Sequence, residues 1–333
     1  MKPCIIGVAG PALSDAEAAA LRGLQPAGFI LFARNITNPE QTTALVKALK
    51  KLCRHQPLVL VDQEGGRVQR LGPPHWRALP SAAELGSRHA EDDGQLAKAW
   101  AQEAASQLAG IGANCCTAPV LDLYHPGANQ VIGDRAYSAD ASTVATIGRL
   151  VVDQLIRRGI APVVKHIPGH GRARVDSHRA PGKIPTDLAQ LMESDLLPFK
   201  ALKDAPAAMT AHLVYSALDA DLPFTQSPRA IAWLREEFGF GGLLLSDCVH
   251  MRALSGNLQH RIDAALAAGV DLVIDSRPVD QAGNYQDHEI SAQAPARLEQ
   301  ALAITRAQPP TYDLQLAGLL DTLTPRPGAD PTA

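Results

Sequence analysis

Residues 161–178, APVVKHIPGHGRARVDSH, are the stretch of this chain that is most informative about its fold. The apolar start, residues 161–164, predicts a short buried strand that ends at Lys165 and His166. A proline and two glycines follow within five residues and cannot continue a strand, so a loop begins there. A buried strand that leads polar side chains into a loop rich in glycine and histidine is typical of a functional site.

The loop carries a second polar pair, Asp176 and His178, separated by one residue. A carboxylate at this spacing can hydrogen-bond one ring nitrogen of the histidine, which selects the tautomer and raises the basicity of the other nitrogen. A solvated loop would explain either residue alone. The pair together with Lys165 and His166 indicates a candidate acid and base.

The same pattern recurs along the chain. Short apolar strands are predicted at 4–8, 28–32, 58–61, 113–119, 161–164, 207–210, 242–245 and 271–274, and helices with apolar residues at helical spacing lie between most of them. This alternation, without a break in composition, favours a single-domain α/β fold, a TIM-like (β/α)8 barrel over residues 1–323. We expect residues 324–333 to form a disordered tail. A doubly wound open sheet is the alternative, but no glycine-rich phosphate loop follows the first strand.

Polar residues follow several of the predicted strands directly, namely Asp62, Lys165, His212 and Asp247. In a parallel barrel the carboxyl ends of the strands meet at one face, and that face carries the active site. The sequence therefore predicts that side chains more than a hundred positions apart converge in one pocket.

Composition narrows the functional classes. The 333 residues are 46% hydrophobic and 20% charged, the net charge is −3 and the basic residues are dispersed, which does not favour nucleic acid or an anionic membrane as a partner. Five cysteines without a CxxC pair argue for a reducing compartment and against a disulfide framework or a structural zinc site. We expect a cytoplasmic monomer without a signal peptide, membrane span, metal or cofactor.

Several segments resemble one family. KHIPGHG followed by DSH, VDQEGGRVQR at 61–70, VIGDR at 131–135 and LLLSD at 243–247 are similar to motifs of bacterial β-N-acetylhexosaminidases of glycoside hydrolase family 3. The resemblance implies that Asp247, placed at a predicted strand end, is the nucleophile and that His178 is the acid/base oriented by Asp176. It also implies a sugar-binding set, which comprises Asp62, Arg70, Arg135, Lys165 and His166.

The expected activity is that of a retaining exo-β-N-acetylglucosaminidase, which removes terminal GlcNAc from muropeptide-type fragments of the cell wall during peptidoglycan recycling. The chain departs from the SDDLSM often found in the family, because Cys248 and His250 replace an acidic residue and a serine. Arg172 and Arg174 suit an acidic substrate or a solvated loop. A family 3 glycosidase or phosphorylase with another sugar or acceptor remains an alternative. So do a Schiff-base aldolase using Lys165, a metal-dependent hydrolase using His166, His170, Asp176 and His178, and a non-catalytic sugar-binding barrel.

Overall fold

The computed structural model describes residues 1–174, 182–278, 285, 287–324 and 326. Eight parallel strands form a closed barrel in the order β1-β8-β7-β6-β5-β4-β3-β2. These strands are β1 (Lys2–Gly7), β2 (Pro26–Leu31), β3 (Leu58–Val61), β4 (Cys115–Cys116), β5 (Ala161–Ile167), β6 (Ala207–Thr210), β7 (Leu243–Cys248) and β8 (Leu272–Asp275). Successive strands are neighbours, and β1 pairs with β8 to close the ring. The predicted fold class is confirmed.

Helices surround the barrel: α1 (Asp15–Leu24), α2 (Pro39–Leu52), α3 (Ala82–Asp92), α4 (Gln95–Gly110), α5 (Ala141–Arg157), α6 (Leu188–Glu193), α7 (Leu197–Ala201), α8 (Pro228–Glu236), α9 (Leu258–Ala268), α10 (Ala294–Ile304) and α11 (Leu314–Gly318). The start of α1 follows from its sequence, because the Ser14 side chain accepts a hydrogen bond from the Glu17 backbone N–H. Two short ladders lie outside the barrel, Gln63–Gly65 with Val68–Gln69 and Gly182–Ile184 with Leu213–Tyr215.

The strands are buried on both faces, and their side chains alternate between two apolar layers. On β3, Leu58 and Leu60 belong to the layer inside the barrel, whereas Val59 and Val61 pack in the layer beneath the helices. Extending the inward series by two residues leads from Leu60 to Asp62. The same step leads from Val163 to Lys165 on β5 and from Leu245 to Asp247 on β7. Strand geometry thus places polar side chains directly above the interior core.

Several predicted boundaries are wrong. The ladder of β5 extends to Ile167 rather than 164, so it includes Lys165 and His166, and that of β4 covers only Cys115–Cys116 rather than 113–119. The helical region between β5 and β6 is two helices, α6 and α7. Pro198 stands in the first turn of α7, where its missing N–H costs no intrahelical hydrogen bond. At the end of the described chain, α11 is followed by a 3₁₀ turn.

Among the described helices, none combines the length and apolar character needed to cross a bilayer. All five cysteines are free thiols. The boundary of the barrel domain at 323 remains a prediction, and the predicted tail lies outside the described residues except for Thr324 and Arg326.

Candidate active site

Most of the polar residues predicted for the site converge. His212 is the exception, since it is buried against Thr225 and the Cys248 carbonyl and is not part of the cavity lining. One cavity of about 450 Å³ lies at the carboxyl ends of the strands, and its lining includes Asp62, Arg70, Arg135, Lys165, His166 and Asp247. Residues at the ends of strands β3 to β7, far apart in the sequence, therefore share one pocket, as expected at the carboxyl face of a parallel barrel. Asp176 and His178 lie outside the described residues, so their assignment stays a prediction.

Lys165 is the centre of a buried ionic cluster. The residue is 2% exposed, and its Nζ lies 2.5 Å from Glu64 Oε1, 3.6 Å from Asp62 Oδ1 and 3.0 Å from Thr117 Oγ1. A buried ammonium group is tolerated only with such partners, since burial without them would cost several kcal/mol. The close contacts to Glu64 and Thr117 hold the ammonium group in place, and Asp62 adds a further counter-charge.

Two arginines complete this cluster. Arg135 donates from Nε and Nη2 to both carboxylate oxygens of Glu64, at 2.7 and 2.9 Å, and Arg70 donates to Asp62 at 2.9 Å. Burial by itself would raise the pKa of both carboxyls, but Lys165 and the arginines outweigh it and hold each pKa below its ordinary range. Both groups are therefore carboxylates at neutral pH, aligned to accept hydrogen bonds from hydroxyl groups.

Glu64 is a site residue that the sequence analysis missed. It lies in the quoted VDQEGGRVQR segment, two positions after Asp62, in the short strand Gln63–Gly65 that pairs with Val68–Gln69. Spacing by two residues along an extended chain places side chains on the same face. The spacing of Asp62 and Glu64 could have indicated that both side chains face the site. A charged surface turn, however, would have the same sequence.

A second carboxylate, Asp122, orients His166. Its Oδ2 lies 2.7 Å from His166 Nδ1, and its Oδ1 accepts hydrogen bonds from the backbone N–H groups of His166 and His170. Although burial raises the pKa of Asp122, the nearby imidazole and the hydrogen bonds lower it to about 2. Since the carboxylate accepts, Nδ1 carries the proton, and Nε2 is the ring nitrogen available to the cavity. Asp122 is a second site residue that the sequence did not predict.

Asp247 has a different environment. Its Oδ1 accepts a hydrogen bond from the Cys248 backbone N–H at 2.7 Å, and no ion pair within the described residues involves it. Burial raises its pKa, but His166, His212, the Cys248 N–H and Lys165 together bring the pKa below the ordinary value. Among the described residues, Asp247 is thus a carboxylate that stays ionised without an ion pair to a cationic side chain, and such a group can attack an electrophilic carbon.

Two alternatives can be compared with this geometry. A Schiff base requires a free neutral amine, whereas Lys165 donates to Thr117 and pairs with the carboxylates of Glu64 and Asp62, so the geometry disfavours the aldolase. Within the described residues, no group of three or more histidine, cysteine, aspartate or glutamate residues could hold a metal ion. Two of the four ligands of the metal hypothesis, Asp176 and His178, lie outside those residues.

A parallel barrel whose catalytic face sets a carboxylate among hydroxyl-binding groups is typical of glycoside hydrolases. The model of the glycosyl hydrolase family 3 N-terminal domain matches residues 5–294. The β-hexosaminidase of Bordetella pertussis is 39% identical over 285 residues, which are 83% of this chain and 80% of that protein. The β-hexosaminidase of Alkalilimnicola ehrlichii is 39% identical over 281 residues, 82% of this chain and 80% of that protein.

Solved structures agree. NagZ from Neisseria gonorrhoeae in complex with N-trifluoroacetyl-D-glucosamine has a TM-score of 0.82 at 28% identity, covering 97% of this chain and 94% of that one. A family 3 β-N-acetylglucosaminidase from Paenibacillus sp. str. FPU-7 has a TM-score of 0.84 at 28% identity, covering 96% of this chain and 66% of that one. The chain belongs to glycosyl hydrolase family 3 and is a glycoside hydrolase. The family predicted from sequence, related to β-N-acetylhexosaminidases, is confirmed.

Proposed function

We propose that this hydrolase is a retaining exo-β-N-acetylglucosaminidase that releases terminal GlcNAc through a glycosyl-aspartate intermediate. The observation that carries the proposal is the placement of Asp247. Its ionised carboxylate lines the same cavity as the ionic cluster, yet no side chain of the described residues neutralises it by an ion pair. The names of the Bordetella and Neisseria relatives support a hexosamine as the sugar.

The shape of the cavity supports removal of a terminal residue. Ile30, Met209 and Ile274 line it and also belong to the apolar layer that fills the barrel interior. That layer closes the floor, so a sugar chain enters from the open face with one end only. The proposed sugar-binding set, Asp62, Arg70, Arg135, Lys165 and His166, surrounds that end and offers both acceptors and donors to hydroxyl groups.

In the proposed first step, Asp247 attacks the anomeric carbon and forms a C–O bond while the bond to the leaving oxygen breaks. His178, held in one tautomer by Asp176, gives its proton to that oxygen. In the second step His178 takes a proton from water, whose oxygen attacks the anomeric carbon and displaces Asp247. Two inversions give net retention.

We also propose an acidic, muropeptide-type substrate from peptidoglycan recycling. A second cavity, of about 680 Å³, is lined by Arg174 and Lys183, which are exposed cations. Arg172 lines it too, but its Nε donates to Asp195 Oδ2 at 2.6 Å, so part of its hydrogen-bonding capacity is already used within the protein. The free thiols and the dispersed charge support the proposed cytoplasmic monomer, with the barrel domain over residues 1–323.

An aryl N-acetyl-β-glucosaminide assayed beside the matching β-glucoside tests the activity. The glucosaminide is expected to be turned over much faster, and proton NMR during turnover should show the β-anomer of GlcNAc first. The α-anomer as first product would contradict retention. Equal turnover of the two glycosides would contradict specificity for the acetamido group.

The substrate proposal requires a separate comparison. Release of GlcNAc from a muropeptide fragment should exceed release from the same disaccharide without its peptide. Arg174→Ala should reduce that difference, and Arg229→Ala, an exposed arginine on α8, is the matched control. Replacing water by phosphate is tested in the same assay, since a phosphorylase would form GlcNAc 1-phosphate.

A further inference from the structure

The cavity wall formed by β7 and β8 contains a histidine–carboxylate pair that the proposed mechanism does not use. His250 follows β7 and lines the cavity, and its Nε2 lies 2.6 Å from Oδ1 of Asp275, the last residue of β8. The Asp275 side chain is 5% exposed and that of His250 is 12% exposed. The pair is therefore nearly buried, with the imidazole on the side of the sugar cavity.

The other contacts of Asp275 determine the tautomer of His250. Oδ1 also accepts the Arg277 backbone N–H at 3.1 Å, and Oδ2 accepts the hydroxyl of the buried Tyr285 at 3.3 Å. A carboxylate that accepts on both oxygens requires a donor at the imidazole, so Nε2 of His250 carries the proton. Nδ1 of the neutral ring is then a hydrogen-bond acceptor. No hydrogen bond to this atom comes from the described residues.

A purely structural role for the pair would be to join β7 to β8. That join exists without it, because the Val249 N–H donates to the Ile274 carbonyl at 3.0 Å and Cys248 Sγ lies 3.0 Å from Ser276 Oγ. The two strands also pair directly in the barrel. The bond between His250 and Asp275 is therefore additional to the strand pairing, as expected of a bond that orients a side chain toward a ligand.

The position of His250 defines what it faces. In an eight-stranded ring, β7 lies opposite β3, so His250 stands across the cavity from Asp62 and Glu64. In the proposed function, those carboxylates and their arginines contact the sugar from the β3 side. An acceptor on the β7 side meets hydrogen-bond donors on the other edge of the same ring.

We propose that His250, oriented by Asp275, is a specificity-determining residue whose Nδ1 accepts a hydrogen bond from one donor group of the bound sugar. The inference rests on the proposed glycosidase activity and adds a contact on the β7–β8 side of the site. It concerns recognition of the sugar and requires no change in the roles of Asp247 or His178.

The test crosses four enzymes with a set of aryl β-glycosides. The substrates are the N-acetylglucosaminide and its analogues that each lack one donor, at C3, C4, C6 or the acetamido N–H. The enzymes are the wild type, His250→Ala, His250→Gln and His260→Ala. Gln keeps an N–H that reaches Asp275 but has no acceptor at the Nδ1 position. His260 is an exposed histidine on α9 and serves as the matched control.

With the wild type and His260→Ala, an analogue that lacks a donor contacted by the enzyme should have a kcat/KM about 3- to 10-fold lower than the parent substrate. That factor corresponds to one hydrogen bond. With both His250 variants the parent substrate should show that loss, mainly in KM, and one analogue should suffer no further loss. His250→Gln should melt like the wild type. Asp275→Asn should show a weaker form of the same selective loss.

The outcomes separate the possibilities. If every analogue loses the same factor in wild type and His250 variants, His250 contacts no substrate donor and the inference is wrong. If His250→Gln restores wild-type selectivity, the residue acts only by bonding Asp275, which also overturns it. If the wild type itself turns over none of the glycosides, the proposed glycosidase function has failed, which is a different result from failure of the His250 contact.

Discussion

The carboxylates on the two walls of the cavity differ in whether they form ion pairs. On the side of β3 and β5, which we term the ionic wall (Asp62, Glu64, Arg70, Arg135 and Lys165), each acid is bonded to at least one cationic side chain. On the side of β7 and β8, Asp247 accepts a backbone N–H, and cations influence it without an ion pair among the described residues. All these groups lie at carboxyl ends of barrel strands or in the loops after them.

In the proposed function, this difference separates sugar binding from the reaction. Charges that neutralise one another at close range keep their positions and still offer oxygen and nitrogen atoms to a sugar. A carboxylate without such a partner keeps its electron pair available, while the surrounding positive charge keeps it deprotonated. The predictions that test this contrast and the proposed mechanism run from the largest expected effect to the smallest.

Asp247→Ala should have the largest effect, a loss in kcat of roughly 10⁴-fold or more, as is usual when a nucleophile is removed. The ionic wall should still bind the sugar, so an inhibitor analogue of GlcNAc should retain its Kd within a small factor. Asp221→Ala, an exposed aspartate, is the control and should be fully active. A slow fluorosugar should label Asp247, and label on Asp62 or Glu64 would reverse the roles of the two walls.

His178→Ala should cost roughly 10²- to 10⁴-fold on a disaccharide, whose leaving oxygen needs a proton. The loss should be much smaller for glycosylation from an aryl glycoside with an acidic phenol. Added azide should then raise the rate, because it attacks the glycosyl-aspartate without help from a base. Equal losses on both substrates with no effect of azide would mean that the acid lies elsewhere, and a weaker defect is expected for Asp176→Ala.

Glu64→Gln should disrupt the ionic wall. Lys165 and Arg135 would lose a buried counter-charge, which typically costs about 3–5 kcal/mol in the free energy of unfolding. Urea denaturation measures this, and KM should rise with it. The exposed pair of Glu299 and Arg306 is the control, since Glu299→Gln should leave stability unchanged. Equal, negligible effects in both variants would show that the wall contributes nothing by its pairing.

Stability should fall with acid in two stages. Burial, then His166, lowers the pKa of His170 to about 4, and the unfolded chain takes up a proton near its ordinary value of about 6.5. This contribution, about 3 kcal/mol, is therefore complete above pH 6.5 and is lost as pH falls to about 4. The depressed pKa of Asp122, about 2, sets a second loss from about pH 4 to 2.

Urea denaturation at several pH values measures both stages. His170→Gln removes the titrating ring and should flatten the first stage while leaving the second. An unchanged slope between pH 6.5 and 4 in this variant would show that other groups cause the loss.

Reductant and chelator are expected to have no effect on turnover. Reductant and EDTA should each leave turnover within assay error, because neither a cysteine nor a metal takes part in the proposed steps. Cys248 is the cysteine on which this prediction depends most, since it lines the cavity beside Asp247. Burial raises the pKa of its thiol, which disfavours the reactive thiolate. Activity lost in EDTA and restored by a divalent cation would overturn the metal-free mechanism.

Much of the barrel could be predicted from the sequence. Apolar runs of strand length recur along the chain, separated by segments with apolar residues at helical spacing. Strands that are buried on both faces are typical of parallel sheets covered by helices. The alternation of side chains then continues the inward series of β3, β5 and β7 to Asp62, Lys165 and Asp247. These three positions follow from strand geometry, and all three line the cavity.

Other features could not be predicted, because they depend on distances between segments far apart in sequence. A polar letter such as Glu64 or Asp122 does not show which cation it faces, and a charged turn would have the same composition. The selection of Asp275 as partner of His250 likewise needs β7 and β8 side by side. Local periodicity determined the barrel and three of its inward polar positions. Tertiary packing alone decided which charges neutralise one another and which carboxylate has no ion pair among the described residues, since electrostatic energy depends on separation and burial.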